Sequence, residues 1–309
     1  MTKTLKKSIK IFLLILSILI FALFILEDQR TTAFRPWESI LNAQKENPNI
    51  EKSTQQSPSP TPQDDNQNKE RSEKIYSNIQ SALENSPGGY SVYIKNLKNN
   101  QTFEYKSREI FTSASIYKLA VMYKTFDALK KGELEKDSTL SKTLASGEKI
   151  SYSVSEALRL MITISDNESA ILIAEKLGWA NIEKFLKEEG IENFKLAAET
   201  QATAESTAQI LEQIYRGEAV SKSASSDMKS LLLAQTVNDR IPKYLPKNIK
   251  VAHKTGELET IRHDAGIVYG KKSDYIFVFF SDTQNPEIAA ETIAQLSKEI
   301  YNSLETIDN

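Results

Sequence analysis

Cysteine is absent from this chain of 309 residues, and histidine occurs only as His253 and His263. The lack of cysteine excludes disulfides, thiolate metal sites, a cysteine nucleophile and a lipoprotein-type anchor. The two histidines are separated by a predicted strand and turn without metal-ligand spacing, so no metal and no other cofactor are predicted. Neither sign of charge dominates, because 39 basic and 41 acidic residues leave a formal net charge of -2. Nucleic acid is therefore not a predicted partner.

One long apolar run lies near the N-terminus. Residues 1–10 carry four lysines, and residues 11–26 are almost entirely apolar before Glu27. The run is near the shortest length that crosses a bilayer, and the lysines favour a cytoplasmic N-terminus. We predict a cytoplasmic basic segment over 1–10 and a single transmembrane signal-anchor over 11–27, which would hold the catalytic domain outside the cytoplasm at the cell membrane. A cleaved signal peptide is the alternative, but no small-x-small cleavage site follows closely.

The next segment contains very few large apolar residues. From residue 44 to residue 74 only Ile50 is large and apolar, and a Ser-Pro-rich stretch lies over 57–62. Such a composition cannot bury a core, so we predict a disordered tether over 28–72. Residues 73–309 are long enough for one domain with its own hydrophobic core, and we predict a monomeric catalytic domain there.

Three short motifs carry the chemical information. The first is Ser-x-x-Lys at Ser115 and Lys118, a spacing that also occurs from Ser146 and from Ser226. Small polar residues precede Ser115 and an apolar stripe of helical period follows it, which predicts a buried helix with Ser115 at its N-terminal end. Residues three apart share one helix face, so the lysine amine can accept the serine proton. The other two occurrences are predicted to be surface serines.

The second motif is Ser165-Asp166-Asn167, between two predicted buried helices. The first of these helices begins at a serine cap, Ser153, with Glu156 three positions on. Taken alone, the polar triplet is better explained by helix capping than by catalysis. Beside the first motif, however, a short polar junction can direct a hydroxyl and an amide into a cleft.

The third motif is Lys254-Thr255-Gly256, within β-branched and aromatic runs that predict adjacent strands. On a strand edge it would present an ammonium and a hydroxyl, and the glycine is expected to allow close approach of a ligand to the backbone. An exposed lysine and an ordinary strand glycine are a reasonable alternative for the tripeptide by itself.

Together, and in this order, the motifs resemble the class A β-lactamases and the related penicillin-binding DD-peptidases. The similarity runs from about Glu73 to the C-terminus. It implies an α/β sandwich (β-lactamase/transpeptidase-like), with an antiparallel sheet formed by both chain ends, an all-helical lobe and the active site between them. Element order alone supports only an α+β class. The predicted elements are a helix over 73–83, strands over 90–94 and 102–105, a mostly helical stretch over 115–233, two or three strands after Val251 and a helix over 286–304.

The resemblance also implies a role for each motif residue. Ser115 would be the nucleophile and Lys118 its base, while Ser165 relays a proton to the departing nitrogen and Lys254 stabilises the charges. Arg262 is a possible carboxylate contact, although a strand-surface charge explains it equally well. The residues implied in substrate binding are Asn167, Thr255, Gly256 and Glu257, the last through a backbone N–H that forms an oxyanion hole with that of Ser115.

A loop expected in class A β-lactamases is missing. That loop carries a glutamate, followed closely by a Leu-Asn pair, which activates the water for deacylation. Residues 197–202 stand in its place as Ala-Ala-Glu-Thr-Gln-Ala, a much shorter segment without Leu-Asn. Glu199 is the candidate deacylation base, but a solvated loop acid is the favoured interpretation. The departure implies slow deacylation and leaves acylation unaffected.

Three functions follow from the resemblance. The first is hydrolysis of β-lactams through a Ser115 acyl-enzyme, an antibiotic-resistance activity. The second is a membrane-anchored D-Ala-D-Ala peptidase or transpeptidase that acts on the stem peptides of the cell wall. The third is a non-catalytic penicillin-binding sensor, which the intact serine and lysine positions disfavour. Acyl transfer through Ser115 is common to the first two.

Overall fold

A computed structural model of the chain describes residues 62–84, 87–197 and 199–305. In these ranges the chain forms a main sheet with a layer of helices packed against each of its two faces. The helices are α1 (Pro62–Glu84), α2 (Tyr117–Lys131), α3 (Val154–Thr163), α4 (Asn167–Leu177), α5 (Trp179–Glu188), α6 (Ala204–Arg216), α7 (Lys222–Leu233) and α8 (Pro286–Glu305). The strands are β1 (Gly89–Asn96), β2 (Thr102–Tyr105), β3 (Phe111–Thr112), β4 (Thr139–Thr143), β5 (Lys149–Ser153), β6 (Gln201–Ala202), β7 (Lys250–Glu257), β8 (Arg262–Tyr269) and β9 (Tyr275–Asp282).

The main sheet combines strands that are far apart in the sequence. Its order is β2-β1-β9-β8-β7. All neighbours are antiparallel, and β1 pairs with β9 from Gly89 opposite Asp282 to Asn96 opposite Tyr275. This confirms the predicted α/β sandwich with a sheet built from both ends of the domain. The third motif lies on β7, at one edge of that sheet.

Side chains of β9 point alternately to two hydrophobic cores. Phe277 and Phe279 pack in the core that α1 and α8 cover, whereas Ile276, Val278 and Phe280 pack in the core of the helical lobe. Because successive side chains of a strand point to opposite faces, a strand covered on both faces has an unbroken apolar sequence. Burial of each such side chain contributes roughly 1.5–3 kcal/mol, so β9 joins the two layers.

Local capping places the second motif between two helices. The Ser153 hydroxyl accepts from the Glu156 N–H at 3.2 Å and begins α3, as predicted. Asp166 accepts from the Ser169 N–H at 2.7 Å and caps α4. Each such cap stabilises a helix by about 1 kcal/mol. The junction is therefore a capped helix start, and Ser165 lies immediately before it.

Two boundaries differ from the sequence predictions. Helix α1 begins at Pro62, so residues 62–72 are helical rather than part of a disordered tether. Proline suits the first position of a helix, and residues 63–72 contain no glycine or β-branched residue. The stretch 115–233, predicted to be mostly helical, also contains a hairpin, β4–β5, that was not predicted. Its alternating residues bury Leu140 on one side, and Gly147 adopts a φ of 85° in the connecting turn.

The predicted basic segment over 1–10, the signal-anchor over 11–27 and most of the tether lie outside the described residues. Within 62–84, 87–197 and 199–305, no helix combines the length and apolarity that a membrane span requires.

Gly266 provides a test of the β7–β8 packing, because it lies opposite His253 in the sheet. A Cβ at position 266 would lie 2.7 Å from His253 Cβ and 3.2 Å from Ala252 O. We expect Gly266→Ala to lower the free energy of unfolding by about 1–3 kcal/mol, since neither paired strand can shift freely. The control is Gly89→Ala, where the nearest atom is 3.7 Å from the added Cβ. Equal urea midpoints for the two variants would contradict this account.

Candidate active site

Ser115 lies in a short 3-10 turn, Ala114–Ile116, that leads directly into α2. Ala114 has a φ of 45°, in the left-handed region, which costs about 1–2 kcal/mol for a residue with a Cβ. A bond from Ser113 N to Thr200 O, 2.8 Å long, holds the chain just before the turn. Ser115 is half-buried and lies just before the start of α2. The helix dipole there favours negative charge near the hydroxyl.

The amine of Lys118 is the centre of the site. Its Nζ lies 3.0 Å from Ser115 Oγ, 2.6 Å from Ser165 O and 2.7 Å from Asn167 Oδ1. Ser165 Oγ is slightly farther away, at 3.2 Å. Residues of the first and second motifs thus share hydrogen bonds to Lys118 Nζ, although 47 positions separate Lys118 from Ser165.

A charged or a neutral amine can make these contacts. The Ser165 carbonyl oxygen and Asn167 Oδ1 can only accept, so in the neutral form they take the two N–H groups of an NH₂. The lone pair is then free to accept the Ser115 hydroxyl proton. Burial lowers the pKa of Lys118 to about 8, a shift that the nearby Asp166 carboxylate partly opposes. Near physiological pH Lys118 is therefore still mostly protonated, but its neutral fraction is far larger than that of an ordinary lysine and is available for general-base chemistry.

Ser165 connects Lys118 to the third motif. Its Oγ lies 2.9 Å from the Nζ of Lys254, which also donates to Thr255 O at 2.7 Å. Ser165 has a φ of 60°, a strained conformation. In this conformation its carbonyl oxygen contacts the Lys118 amine and its hydroxyl contacts the Lys254 amine. Lys254 is fully buried; burial, and then the neighbouring Lys118 charge, hold its pKa well below its usual range. We call Ser115, Lys118, Ser165, Asn167 and Lys254 the lysine–serine network.

Gly256 brings β7 against the nucleophile turn. A Cβ at this position would lie 3.1 Å from Ile116 Cγ1 and 3.2 Å from Ser113 O. The absence of a Cβ at Gly256 therefore allows close packing of β7 against protein atoms, and close approach of a ligand to this backbone stays a prediction. The next residue, Glu257, ends β7 on the free edge of the sheet.

Among the described residues, neither Glu199 nor Arg262 forms a hydrogen bond with a member of the lysine–serine network. Glu199 is exposed, and its carboxylate accepts from Gln201 Nε2 at 3.2 Å. Arg262 donates to Leu258 O at 2.8 Å and to Glu287 Oε1 at 2.9 Å. The structure thus places Glu199 as a solvated loop acid and Arg262 in a local ion pair.

Both histidines are buried and hydrogen-bond to residues next to the site. His263 is fully buried, and burial lowers its pKa to about 4, so the ring is neutral. Its Nε2 donates to Thr112 O at 2.9 Å and its Nδ1 accepts from Ser281 N at 3.1 Å. A single neutral tautomer satisfies both bonds. His263 thereby connects β8 to the residues just before the nucleophile turn.

The second histidine holds a loop beside β7. His253 Nδ1 lies 2.9 Å from Asp264 Oδ1, and its Nε2 lies 3.2 Å from Asn238 Oδ1. Asp264 Oδ2 accepts from the Ile241 N–H at 3.1 Å. These buried bonds fix both sides of Arg240, which lies between Asn238 and Ile241.

Arg240 is a site residue that sequence reasoning missed. Its side chain is fully buried, and its charge helps to lower the pKa of Lys254. Its Nη2 donates to Glu257 Oε2 at 2.7 Å, whereas its Nε and Nη1 have no hydrogen-bond partner in the described part of the chain. No local sequence signal marks it, because it stands in a polar turn without helical or strand periodicity.

A family model described as the beta-lactamase enzyme family matches residues 74–304. The chain belongs to the β-lactamase enzyme family. This confirms the resemblance drawn from the three motifs, and the matched range contains all of them.

Individual relatives are more distant. Beta-lactamase BRO-1 of Moraxella catarrhalis is 28% identical over 171 residues, 48% of this chain and 55% of the relative, so the match spans about half the length of that protein. The solved structure of PBP-A is 24% identical with a TM-score of 0.71, over 75% of this chain and 96% of the other. A beta-lactamase from Sphaerobacter thermophilus DSM 20745 is 19% identical with a TM-score of 0.71, over 77% and 99%. At these identities the structural likeness establishes the fold.

Proposed function

We propose that the chain is an active-site-serine acyl hydrolase that opens β-lactam amides through an acyl-enzyme on Ser115 and deacylates slowly. The observation that carries the proposal is the position of Lys118 Nζ. It lies 3.0 Å from Ser115 Oγ and also donates to Ser165 O and Asn167 Oδ1. In the neutral amine, this geometry leaves the lone pair available to the Ser115 hydroxyl. Family membership supports the same chemistry.

The proposed acylation moves one proton around the lysine–serine network. Ser115 Oγ bonds to the carbonyl carbon while its proton passes to Lys118 Nζ. The carbon–nitrogen bond then breaks, and Ser165 gives its hydroxyl proton to the departing nitrogen and recovers one from Lys118, 3.2 Å away. Lys254, 2.9 Å from Ser165 Oγ, stabilises negative charge on that oxygen during the transfer.

Substrate binding in this proposal uses residues of the same network and their neighbours. Asn167 is exposed and bonded to Lys118, so its amide N–H₂ is available to a substrate carbonyl. Thr255 and Lys254 would bind the substrate carboxylate through a charge-assisted contact. The backbone N–H groups of Ser115 and Glu257 would form the oxyanion hole, and loss of one such donor typically costs about 3 kcal/mol of barrier lowering.

A D-Ala-D-Ala peptidase or transpeptidase is the second candidate. Two observations favour it. The Glu199 carboxylate lies outside the lysine–serine network. The fold is similar to that of PBP-A, and a variant of PBP-A has been solved as an acyl-enzyme complex with penicillin G. Without an acid beside the acyl carbon to activate water, the adduct with a penicillin would persist. We also propose that residues 11–27 anchor the protein and hold the catalytic domain outside the cytoplasm, beside cell-wall peptides.

Labelling with a fluorescent penicillin tests the proposal. We expect stoichiometric labelling of Ser115 and slow loss of the label, because the lysine–serine network has the groups that acylation needs and Glu199 lies outside it. Fast loss would indicate an efficient β-lactamase. If the label persists, release of D-alanine from a synthetic stem peptide separates a peptidase from a sensor. No labelling at all would refute acyl transfer through Ser115.

Glu199→Gln isolates the candidate deacylation base. We expect the rate of label loss to stay within about twofold of the wild-type rate, as is usual for substitutions at exposed positions. Glu192→Gln is a matched control, since Glu192 is an exposed acid in the turn before the same segment. A large fall in the deacylation rate for Glu199→Gln alone would show that this carboxylate reaches the acyl-enzyme.

A further inference from the structure

The carboxylate of Glu257 occupies a position between two arginines at the end of β7. Its Oε2 accepts from Arg240 Nη2 at 2.7 Å, and its Oε1 lies 3.3 Å from Arg262 Nη2. The Glu257 side chain is 55% exposed, whereas that of Arg240 has no exposed surface. Glu257 therefore covers Arg240 from the solvent side. Its presence demonstrates that a carboxylate fits at this position.

The two arginines differ in how well they are paired. Arg262 bonds to two carbonyl oxygens and to Glu287 in addition to its contact with Glu257. Arg240 makes one hydrogen bond, to a single carboxylate oxygen; its Nε lies 3.7 Å from Asp239 Oδ1, and neither Nε nor Nη1 has a hydrogen-bond partner among the described residues. Buried donors without partners are costly, and a one-point contact is weaker than the bidentate pairing that a guanidinium can make. Arg240 thus retains unused capacity to bind an anion.

The contact between Glu257 and Arg240 lies next to the third motif. Glu257 follows Gly256 directly, and Gly256 packs against the turn that carries Ser115. Ile241, the residue after Arg240, donates its N–H to Asp264, which lies opposite Thr255 in the sheet. An anion on Arg240 would consequently lie beside Thr255 and Lys254, where the substrate carboxylate is proposed to bind.

We propose that Glu257 is an internal competitor for the substrate carboxylate: its side chain occupies Arg240 in the free protein and swings into solvent when an anionic ligand binds. This inference rests on the proposed function only for the ligand class, a penicillin or a peptide with a terminal carboxylate. Two carboxylates at one guanidinium repel each other, so ligand binding includes the cost of displacing Glu257. The wild-type site therefore binds anionic ligands more weakly than its arginine would otherwise allow.

Equilibrium binding tests this without requiring catalysis. The full chain carries Ser115→Ala to prevent acylation, and calorimetry measures the dissociation constants of benzylpenicillin and of its methyl ester. Adding Glu257→Gln is expected to lower the dissociation constant of the free acid by about tenfold or more, because a competing charge is removed. The constant of the ester, which has no carboxylate charge, should stay within about twofold.

Two further variants control the comparison. Glu259→Gln removes the same charge from an exposed position on the adjoining loop and should leave both constants unchanged. Glu257→Asp keeps the charge on a shorter side chain and should bind the free acid no more than slightly better than the Ser115→Ala parent. Thermal unfolding verifies that each variant is folded.

The outcomes separate this inference from the proposed function. Equal effects of Glu257→Gln on acid and ester, no effect on either, or no measurable binding of the acid to any variant would overturn the competitor role. Failure of the proposed function appears elsewhere, as absence of penicillin labelling in the wild-type protein. Tighter binding of the acid alone supports the inference whichever reaction Ser115 performs.

Discussion

Ser115→Ala is expected to lower the rate of penicillin labelling by more than about 10⁴-fold, since the variant lacks the atom that bonds to the carbonyl carbon. The fold should survive, because Ser115 is half-buried, has no positive φ and loses only a hydroxyl. Stopped-flow or gel-based labelling with a fluorescent penicillin measures the loss. Mass spectrometry of a digest shows the site of the adduct in the wild-type protein.

The chain offers matched controls for this substitution. Ser146 and Ser226 each precede a lysine by three residues, as Ser115 does, but both are exposed. Ser146→Ala and Ser226→Ala should label at the wild-type rate, since spacing alone does not produce a nucleophile. An adduct that persists at full rate in Ser115→Ala would place the reactive group elsewhere and remove the basis of the proposed mechanism.

Lys118→Met is expected to slow acylation by roughly 10²–10⁴-fold, the usual contribution of a positioned general base. Methionine matches the lysine stem in size, so the loss reports on the amine rather than on a cavity. Lys130→Met, on the exposed part of the same helix, is the control and should be inert. Labelling under single-turnover conditions isolates the acylation step from slow deacylation.

The pH dependence of acylation gives an independent measure of the same group. Burial lowers the pKa of Lys118 to about 8, and only the neutral amine can accept the Ser115 proton. Below pH 8 the rate should consequently fall about tenfold per pH unit, and above it the rate should level off. Lys118→Met should lack this dependence. A wild-type rate that stays flat from acid to alkaline pH would show that Lys118 does not act as the base.

Much of the chemistry was predictable because it depends on short spacings. Ser115 and Lys118 lie on one helix face at three positions apart, and the cap at Ser153 needed only Glu156 nearby. The β-branched and aromatic runs after Val251, and the turn signals between them, predicted the adjacent strands. The family resemblance then supplied the order of layers, which element order alone left at an α+β class.

Features that depend on distant segments were not predictable. Helix α1 begins earlier than predicted because a helix propagates through polar residues once its apolar face is packed. Arg240 was missed because a turn residue has no sequence signature. Its role depends on Glu257 at the end of a strand that arrives from another direction.

The amino-acid sequence by itself therefore determined which reactive groups exist, their order along the chain and the class of fold that carries them. Only the tertiary structure decided that Ser165 adopts a left-handed conformation between two amines, that Gly256 faces the nucleophile turn and that Glu257 covers a buried arginine. The physical reason is range. Helix faces, caps and strand alternation are set by neighbours within a few residues, whereas amine pKa values and ion pairing depend on which distant groups share a desolvated site.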